Sequence, residues 1–375
     1  MLRKISHTLA ATAVLHYRWR RFCQQRDPRA RCASRQRDQF YREAWYSAAA
    51  LLGAPIRDLG DEFLQIRAGD RSIVVRRNET PLDDQITLRI AGNKPVASTL
   101  LREANLPLAP FRSFTLRTFT RAREFLDEVS GPSVVKPASA TGAGAGVTTG
   151  VRTRSELHSA ATRAAAYCRD LVIERQVGGD NLRLLFLDGE LLHAVVRKPP
   201  CVVGDGQLSV ARLVDAENVR RLEQGFSAAQ VLLPVDRDMT ATLAMQGMTL
   251  KTTPSRGQEV IVKTVINDNA GDDNVPVTEK LSPELVASCA AAASVLGVRL
   301  AGVDVITPDF TASLEAAGGV VLEVNTTPGF YVHYHNRGAS YRVADRVLER
   351  ALGLDEFAAP TVGHQANTHR PAAVR

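Results

Sequence analysis

The pattern of apolar and polar positions predicts a mixed fold in which short strands alternate with amphipathic helices. Runs rich in Val, Ile and Leu predict strands, and apolar residues three or four positions apart predict helices. Helices are predicted over residues 41–52, 94–104, 121–128, 155–167, 213–224, 283–296 and 340–352. Strands are predicted over residues 62–67, 72–75 and 275–277, and over the runs that precede Pro137 and Gln176. The alternation indicates the α/β (α+β) class.

The same pattern divides the chain into four parts. Residues 1–39 form a basic N-terminal arm, and residues 40–92 form a small α/β region. The main domain is predicted over 93–355, with one lobe over about 112–175 and a larger lobe over 181–350. Residues 204–232 are expected to project from the larger lobe as an insert. The tail, 356–375, is rich in Pro, Thr, Asn and His and is predicted to be disordered.

Three oxygen-bearing side chains near the C-terminal end occupy strand-like surroundings. Asp304 lies in AGVDVI, and Glu323 and Asn325 lie in VVLEVN. Because side chains alternate along a strand, Glu323 and Asn325 face the same side. Two carboxylates and an amide oxygen suit a hard cation such as Mg²⁺, with Mn²⁺ as an alternative. The other interpretation is a pair of edge-strand acids that face water.

A second candidate region combines a lysine with a glycine-rich loop. The sequence SVVKPASATGAGAGV places Lys136 at the end of an apolar run, followed by Gly142, Gly144 and Gly146. Glycines allow backbone N–H groups to approach phosphate oxygens, and a nearby lysine adds positive charge. No Gly-Lys-Ser/Thr closes the loop, so it is not a P-loop. A flexible connector would have a similar composition.

The order of these parts resembles the ATP-grasp fold. The phrases that carry the resemblance are VVKP, ERQVGGDNLRLL, VVGDG, AGVDVITPD and GGVVLEVNTTPGF. Within the fold, the sequence is most similar to the ATP-grasp domain of cyanophycin synthetase. The resemblance extends over roughly residues 90–335, and it rests on the combination and order of the phrases. It implies two lobes that clasp ATP, preceded here by the small α/β cap and the basic arm.

The resemblance also implies roles for individual residues. Phosphates of ATP are expected to bind Lys94, Lys136 and the backbone of the loop with Gly142, Gly144 and Gly146. The adenine is expected to contact Glu174 and Val177. At the ribose position the family carries an acid where this chain has Asn181, preceded by Asp180, so either residue is a candidate.

The remaining roles concern the transferred phosphate and the metal. The resemblance assigns Arg183 and Arg197 to the transferred phosphate. It assigns the metal to Asp304, Glu323 and Asn325.

The expected function is ATP-dependent ligation of a carboxylate to an amine. Transfer of the γ-phosphate of ATP to a carboxylate gives an acyl phosphate, which an amine attacks, and ADP and phosphate are released. Small-molecule or peptide carboxylates and amines are the expected substrates. Two alternatives remain open, namely a ligase that modifies a protein or polypeptide terminus and a non-catalytic nucleotide-binding regulatory protein. Only 45 residues follow Phe330 and no GxxxxGK[ST] appears, so a second ATP site like that of cyanophycin synthetase is not expected.

Charge and cysteine content refine this picture. Residues 1–39 hold ten Lys and Arg against two Asp, a net of +8, while the whole chain carries +7, so the other residues sum to −1. The arm is therefore the part suited to an anionic partner, although a solvated extension without a partner is the alternative. Deletion of residues 1–36 is expected to leave turnover within a few-fold. Five scattered cysteines and the absence of a long apolar run favour a cytoplasmic protein without a transmembrane segment, and an oligomer is expected.

Overall fold

The computed structural model describes residues 27–139, 145–338 and 340–354, and the single positions 15 and 19. Its α-helices are α1 (Pro28–Leu51), α2 (Gln85–Ala91), α3 (Lys94–Glu103), α4 (Phe119–Glu128), α5 (Arg154–Ala164), α6 (Val210–Glu223), α7 (Arg237–Met245), α8 (Pro283–Val295), α9 (Leu314–Ala317), α10 (Tyr331–Tyr334) and α11 (Val343–Ala351). In the described part of the chain, no helix combines the length and the apolar character needed to cross a bilayer.

The strands form four antiparallel sheets. They are β1 (Ile56–Gly60), β2 (Phe63–Ala68), β3 (Arg71–Arg76), β4 (Phe111–Phe114), β5 (Ser133–Pro137), β6 (Thr148–Val151), β7 (Leu171–Arg175), β8 (Asp180–Leu187), β9 (Glu190–Arg197), β10 (Cys201–Val203), β11 (Glu259–Ile261), β12 (Asn274–Pro276), β13 (Leu300–Thr307) and β14 (Val320–Asn325). The sheet orders are β1-β2-β3, β4-β7-β5-β6, β12-β9-β8-β13-β14 and β10-β11. The four-stranded and five-stranded sheets lie within the two segments predicted as lobes.

The five-stranded sheet separates an apolar face from a charged face. Leu182 and Leu184 of β8 and Val303 of β13 lie in one buried cluster with residues of α8. Because side chains alternate, Arg183 and Asp304 point to the opposite face, where their Cα positions are paired across β8 and β13. The burial of the apolar face therefore determines which side of the sheet carries the charges.

Helix α1 differs from the sequence prediction at its N-terminal end. The helix predicted from residue 41 begins at Pro28, with the Asp27 side chain accepting from the backbone N–H of Arg29. The predicted division at residue 39 thus falls inside a continuous helix. An aspartate N-cap and a proline at the first helical position favour a helix start at this point.

The segment after β9 also differs from its prediction as a projecting insert. Strands β10 and β11 and helices α6 and α7 enclose their own apolar cluster, which includes Val210, Leu233 and Val260. Helix α1 packs against this unit, since the Gln36 amide donates to the Leu222 carbonyl at 2.8 Å. The unit is therefore larger than residues 204–232 and is held against the N-terminal helix.

Candidate active site

A cavity of about 630 Å³ lies between the four-stranded and five-stranded sheets. Ten of the residues predicted from the sequence line it: Lys94, Lys136, Glu174, Val177, Asn181, Arg183, Arg197, Asp304, Glu323 and Asn325. Strands β5 and β7 provide one wall, and β8, β9, β13 and β14 provide the other. The fold thus brings together residues that are more than two hundred positions apart.

Asp304 is the centre of a buried charge cluster. Its carboxylate accepts from Arg183 Nε at 2.6 Å and Arg183 Nη2 at 3.0 Å, and from Arg197 Nη2 at 3.1 Å. The Asn325 amide donates to the same carboxylate at 3.0 Å. A buried acid requires such partners, because an unpaired carboxylate loses its hydration without compensation.

The cluster shifts the pKa values of its members in different directions. Burial alone would raise the pKa of Asp304, but the positive charges of Arg183 and Arg197 lower it below its usual range. Burial would lower the pKa of Arg183, yet its pair with Asp304 raises it. For Arg197, burial together with the nearby Arg183 charge lowers the pKa to about 10. The single negative charge of Asp304 therefore balances only one of the two positive charges of Arg183 and Arg197, so these three side chains carry a net positive charge.

Gly302 makes room for this arrangement. A Cβ at this position would lie 2.8 Å from Pro328 Cβ and 3.2 Å from Arg183 Nη1. Glycine on β13 therefore permits the Arg183 side chain to cross the strand and reach Asp304.

The two predicted phosphate lysines are each held by an acid. Lys94 Nζ lies 2.5 Å from Glu323 Oε1, and Lys136 Nζ lies 2.6 Å from Glu174 Oε1. The backbone N–H of Lys94 donates to the Ala138 carbonyl at 3.1 Å, which links the start of α3 to the end of β5. Both lysines therefore line the same cavity. Lys94 pairs with an acid of the five-stranded sheet, and Lys136 pairs with an acid of the four-stranded sheet.

The donor chemistry of Asp304, Glu323 and Asn325 fits a hard divalent cation. All three line the cavity, and β13 and β14 pair Asp304 with Glu323. The Asn325 amide nitrogen donates to Asp304 and to the Gly302 carbonyl, so its oxygen remains available as a ligand. Among the described residues, no group of three or more His, Cys, Asp or Glu side chains is placed so that it could hold a metal ion. Two carboxylates and an amide therefore make a partial set, of the kind that Mg²⁺ completes with water and phosphate oxygens.

The predicted role of the glycine-rich loop stays a prediction. Gly142 and Gly144 lie outside the described residues. Gly146 is described but is not among the residues that line the cavity, and its surroundings are tightly packed. Its φ is +81°, and a Cβ there would lie 2.9 Å from both Pro137 Cγ and Tyr167 Cδ2. At the ribose position, Asn181 lines the cavity whereas Asp180 does not.

Two lining residues carried little or no signal in the sequence. Asn267 lines the cavity and accepts from Arg197 Nη1 at 3.1 Å. Arg37, on α1, was assigned to the arm and was missed. An arginine within an arginine-rich run carries no local mark of its position, so only the packing of α1 identifies it.

Comparisons with known proteins identify similar sequences and a similar fold. The family described as D-ala D-ala ligase C-terminus matches residues 100–204. Cyanophycin synthetase from Crocosphaera subtropica is 29% identical over 269 residues, and that from Synechocystis is 30% identical over 268. Each alignment covers 70% of this chain and 30% of the relative, so the chain matches under a third of the length of these relatives. A bifunctional glutathione synthetase from Pasteurella multocida has a similar fold, with a TM-score of 0.56, 24% identity and coverage of 83% of this chain and 43% of that chain.

The chain has the ATP-grasp fold, with the cavity between its two central sheets. Within that fold, the sequence resembles the cyanophycin synthetases, and the resemblance predicted from the motifs is confirmed.

Proposed function

We propose that this protein is an ATP-dependent carboxylate–amine ligase that forms an amide or peptide bond and releases ADP and phosphate. Its substrates would be amino acids or peptides. The proposal rests on the following observation. Four cations line one cavity, and each of them is paired with a carboxylate: Lys94, Lys136, Arg183 and Arg197. The names of the similar proteins support the same class of reaction.

The residues expected to contact the nucleotide are among those that line the cavity. Glu174 and Val177, at the end of β7, would contact the adenine, and Asn181 would contact the ribose. Lys94 and Lys136 already lie beside carboxylates, so binding of phosphate would replace one anionic partner with another. The exchange of Glu323 for phosphate at Lys94 would release Glu323 as a ligand.

Asp304, Glu323 and Asn325 would hold the metal. Magnesium at that position supplies neutralisation of negative charge on the phosphates. The chain supplies the rest of the electrostatic stabilisation, because Arg183 and Arg197 are buried, charged and fixed in direction before any substrate binds.

The chemistry balances without a covalent intermediate on the protein. A substrate carboxylate oxygen forms a bond to the γ-phosphorus of ATP as the bond to the ADP oxygen breaks. The amine then attacks the acyl carbon, phosphate leaves with the former carboxylate oxygen, and the amine loses a proton to the medium. Positioning and charge neutralisation are the main requirements of the first step.

A screen of ADP release across pairs of amino acids and short peptides tests the proposal. Acyl-phosphate chemistry predicts that hydroxylamine in place of the amine yields a hydroxamate of the carboxylate substrate. It also predicts transfer of ¹⁸O from that carboxylate into phosphate. Formation of AMP and pyrophosphate would contradict the proposal, as would nucleotide binding with no turnover for any pair.

A further inference from the structure

Part of the cavity wall is built by segments outside the two central sheets. Gln230 and Val231 come from the unit after β9, Tyr331 from α10, and Arg37 from α1. The Tyr331 hydroxyl donates to the Ala228 carbonyl, which joins α10 to that unit. Helix α1 therefore forms part of the enclosure of the cavity.

The position of Arg37 in the cavity wall is set by the packing of α1. Tyr41, one helical turn further along α1, accepts through its hydroxyl from the Phe330 backbone N–H at 3.4 Å. Residues four apart lie on the same face of a helix, so Arg37 stands beside the loop that follows Asn325. That loop contributes Thr327 and Gly329 to the lining.

Arg37 also differs from the other cations of the cavity in its partners. Lys94, Lys136, Arg183 and Arg197 each have a carboxylate oxygen within 3.1 Å. Among the described residues, Arg37 makes no ion pair, and its guanidinium donates to the Ser34 hydroxyl at 3.3 Å. The neighbouring Asp38 pairs instead with Arg77 at 2.9 Å. Arg175 also lines the cavity, but it is exposed. It directly follows Glu174, which is an expected adenine contact.

These observations point to an anionic ligand for Arg37. A partly buried guanidinium has lost some of its hydration, and a carboxylate restores the lost interactions through two parallel hydrogen bonds. The phosphates of ATP are expected near Lys94 and Lys136. None of the residues expected to contact the nucleotide or the metal lies on α1, so Arg37 is a lining cation that is left for the other substrates.

We propose that Arg37 binds a second substrate carboxylate, distinct from the one that is phosphorylated, and thereby selects for substrates that carry it. This inference rests on the proposed ligase function. The second carboxylate could belong to the carboxylate donor, as in an acidic amino acid, or to the amine acceptor, as the free carboxylate of an amino acid. The chemistry at Arg37 is the same in both cases.

The test uses the full chain and the substrate pair found by the ADP-release screen. If no pair supports ADP release in the wild type, the ligase proposal itself fails. With an active pair, Arg37→Gln should raise the KM of one substrate by about tenfold or more, since it removes a charge-assisted contact. The KM of ATP should change less than about twofold, because the residues expected to contact the nucleotide lie on other elements than α1.

Amidated substrates identify the source of the carboxylate. The donor and the acceptor are each tested with the second carboxylate converted to an amide. The substrate that Arg37 recognises should lose most of its advantage in the wild type, and the amide should react equally well with the wild type and Arg37→Gln. Arg37→Lys should retain part of the discrimination, since it keeps the charge but loses the paired hydrogen bonds.

Arg35→Gln is the matched control, because Arg35 is exposed on the same helix and does not line the cavity. It should leave all KM values unchanged. Unchanged KM values in Arg37→Gln would overturn the proposal. A rise in the KM of ATP equal to that of the substrates would also overturn it and would assign Arg37 to the nucleotide. Unfolding temperatures of all variants separate these results from loss of structure.

Discussion

Glu323 pairs with Lys94 in the structure and would bind the metal in the proposed reaction. Substitution of this residue therefore tests both interactions. It is partly buried and forms an ion pair with Lys94 at 2.5 Å. It also faces the position where a metal would lie between β13 and β14. Both roles need the negative charge rather than the shape of the side chain.

Glu323→Gln is therefore expected to reduce ADP formation by at least about a hundredfold, similar to the loss of a key electrostatic contact in other enzymes. The fold should remain, because glutamine has nearly the same volume. Steady-state ADP release as a function of Mg²⁺ concentration measures the effect, and circular dichroism verifies the fold.

Glu315→Gln serves as the control for that experiment, because Glu315 is exposed on α9, just before β14. It should behave as the wild type. Normal activity of Glu323→Gln with unchanged Mg²⁺ dependence would refute the metal assignment.

A buried histidine pair behind the site makes stability depend on pH. The Nδ1 atoms of His193 and His333 lie 3.0 Å apart, and His333 is fully buried. Burial, followed by His193, Arg183 and Arg197, lowers the pKa of His333 well below 6.5. Burial also lowers the pKa of His193. The folded protein therefore holds these rings neutral, whereas the unfolded chain protonates them below about pH 6.5.

The sign of the effect follows from proton binding. Below pH 6.5 the unfolded state binds more protons, so the free energy of unfolding should fall as the pH falls. For His333 alone the loss approaches about 1.4 kcal/mol per pH unit. Urea unfolding at pH 7 and pH 5.5 measures this loss in the wild type. His333→Asn should show a weaker pH dependence, whereas the exposed control His158→Gln should keep that of the wild type. Equal slopes in His333→Asn and the wild type would contradict the assignment.

At the scale of the element, helix α1 changes the expectation for truncation. Its first turns are anchored by the Asp27 cap, by Arg29 to Asp215 at 2.8 Å and by Gln36 to the Leu222 carbonyl. Ala33 is buried as well. The sequence-based expectation that deletion of residues 1–36 leaves turnover within a few-fold assumed that this segment is separate from the rest of the protein. In the structure, α1 is continuous across residue 36.

Deletion of residues 1–36 should therefore be worse than deletion of residues 1–26. The longer deletion removes the N-cap and a side-chain hydrogen bond, each with an effect of about 1 kcal/mol, and leaves Arg37 at a new chain end. We expect a lower unfolding temperature and a lower kcat for the longer deletion, measured by thermal unfolding and ADP release. Indistinguishable values for the two truncated proteins would show that the first turns of α1 do not support the cavity.

At the scale of the whole molecule, the cavity lies between two sheets, so a ligand that binds there should stabilise the folded protein against unfolding. A non-hydrolysable ATP analogue with Mg²⁺ at a hundred times its Kd should add about 2.7 kcal/mol to the free energy of unfolding. Removal of Mg²⁺ with EDTA should reduce the gain, because the phosphates would then lose the charge held by Asp304, Glu323 and Asn325. Thermal unfolding with and without each component measures this.

Glu323→Gln again provides the comparison, since it should lose mainly the Mg²⁺-dependent part of the stabilisation. A gain that is identical with and without Mg²⁺ would contradict a metal site in the cavity. No gain at all would contradict nucleotide binding.

The sequence by itself determined the central elements and ten of the residues that line the cavity. Strand periodicity placed Glu323 and Asn325 on one face, and the caps of α3 and α8 fixed their starts at Lys94 and Pro283. These features are local, because alternation along a strand and capping of a helix depend on neighbours within a few residues. The order of the motifs then indicated the ATP-grasp fold, which the similar structure confirmed.

Only the tertiary structure decided how the charges are partnered and what closes the cavity. The pairing of Asp304 with both Arg183 and Arg197 depends on the register of β8, β9 and β13. The place of Arg37 depends on the packing of α1 against segments about 190 to 290 residues away in the sequence. Such contacts are set by the burial of apolar faces between distant elements. The residues next to an arginine in a basic run do not indicate which tertiary contacts it makes.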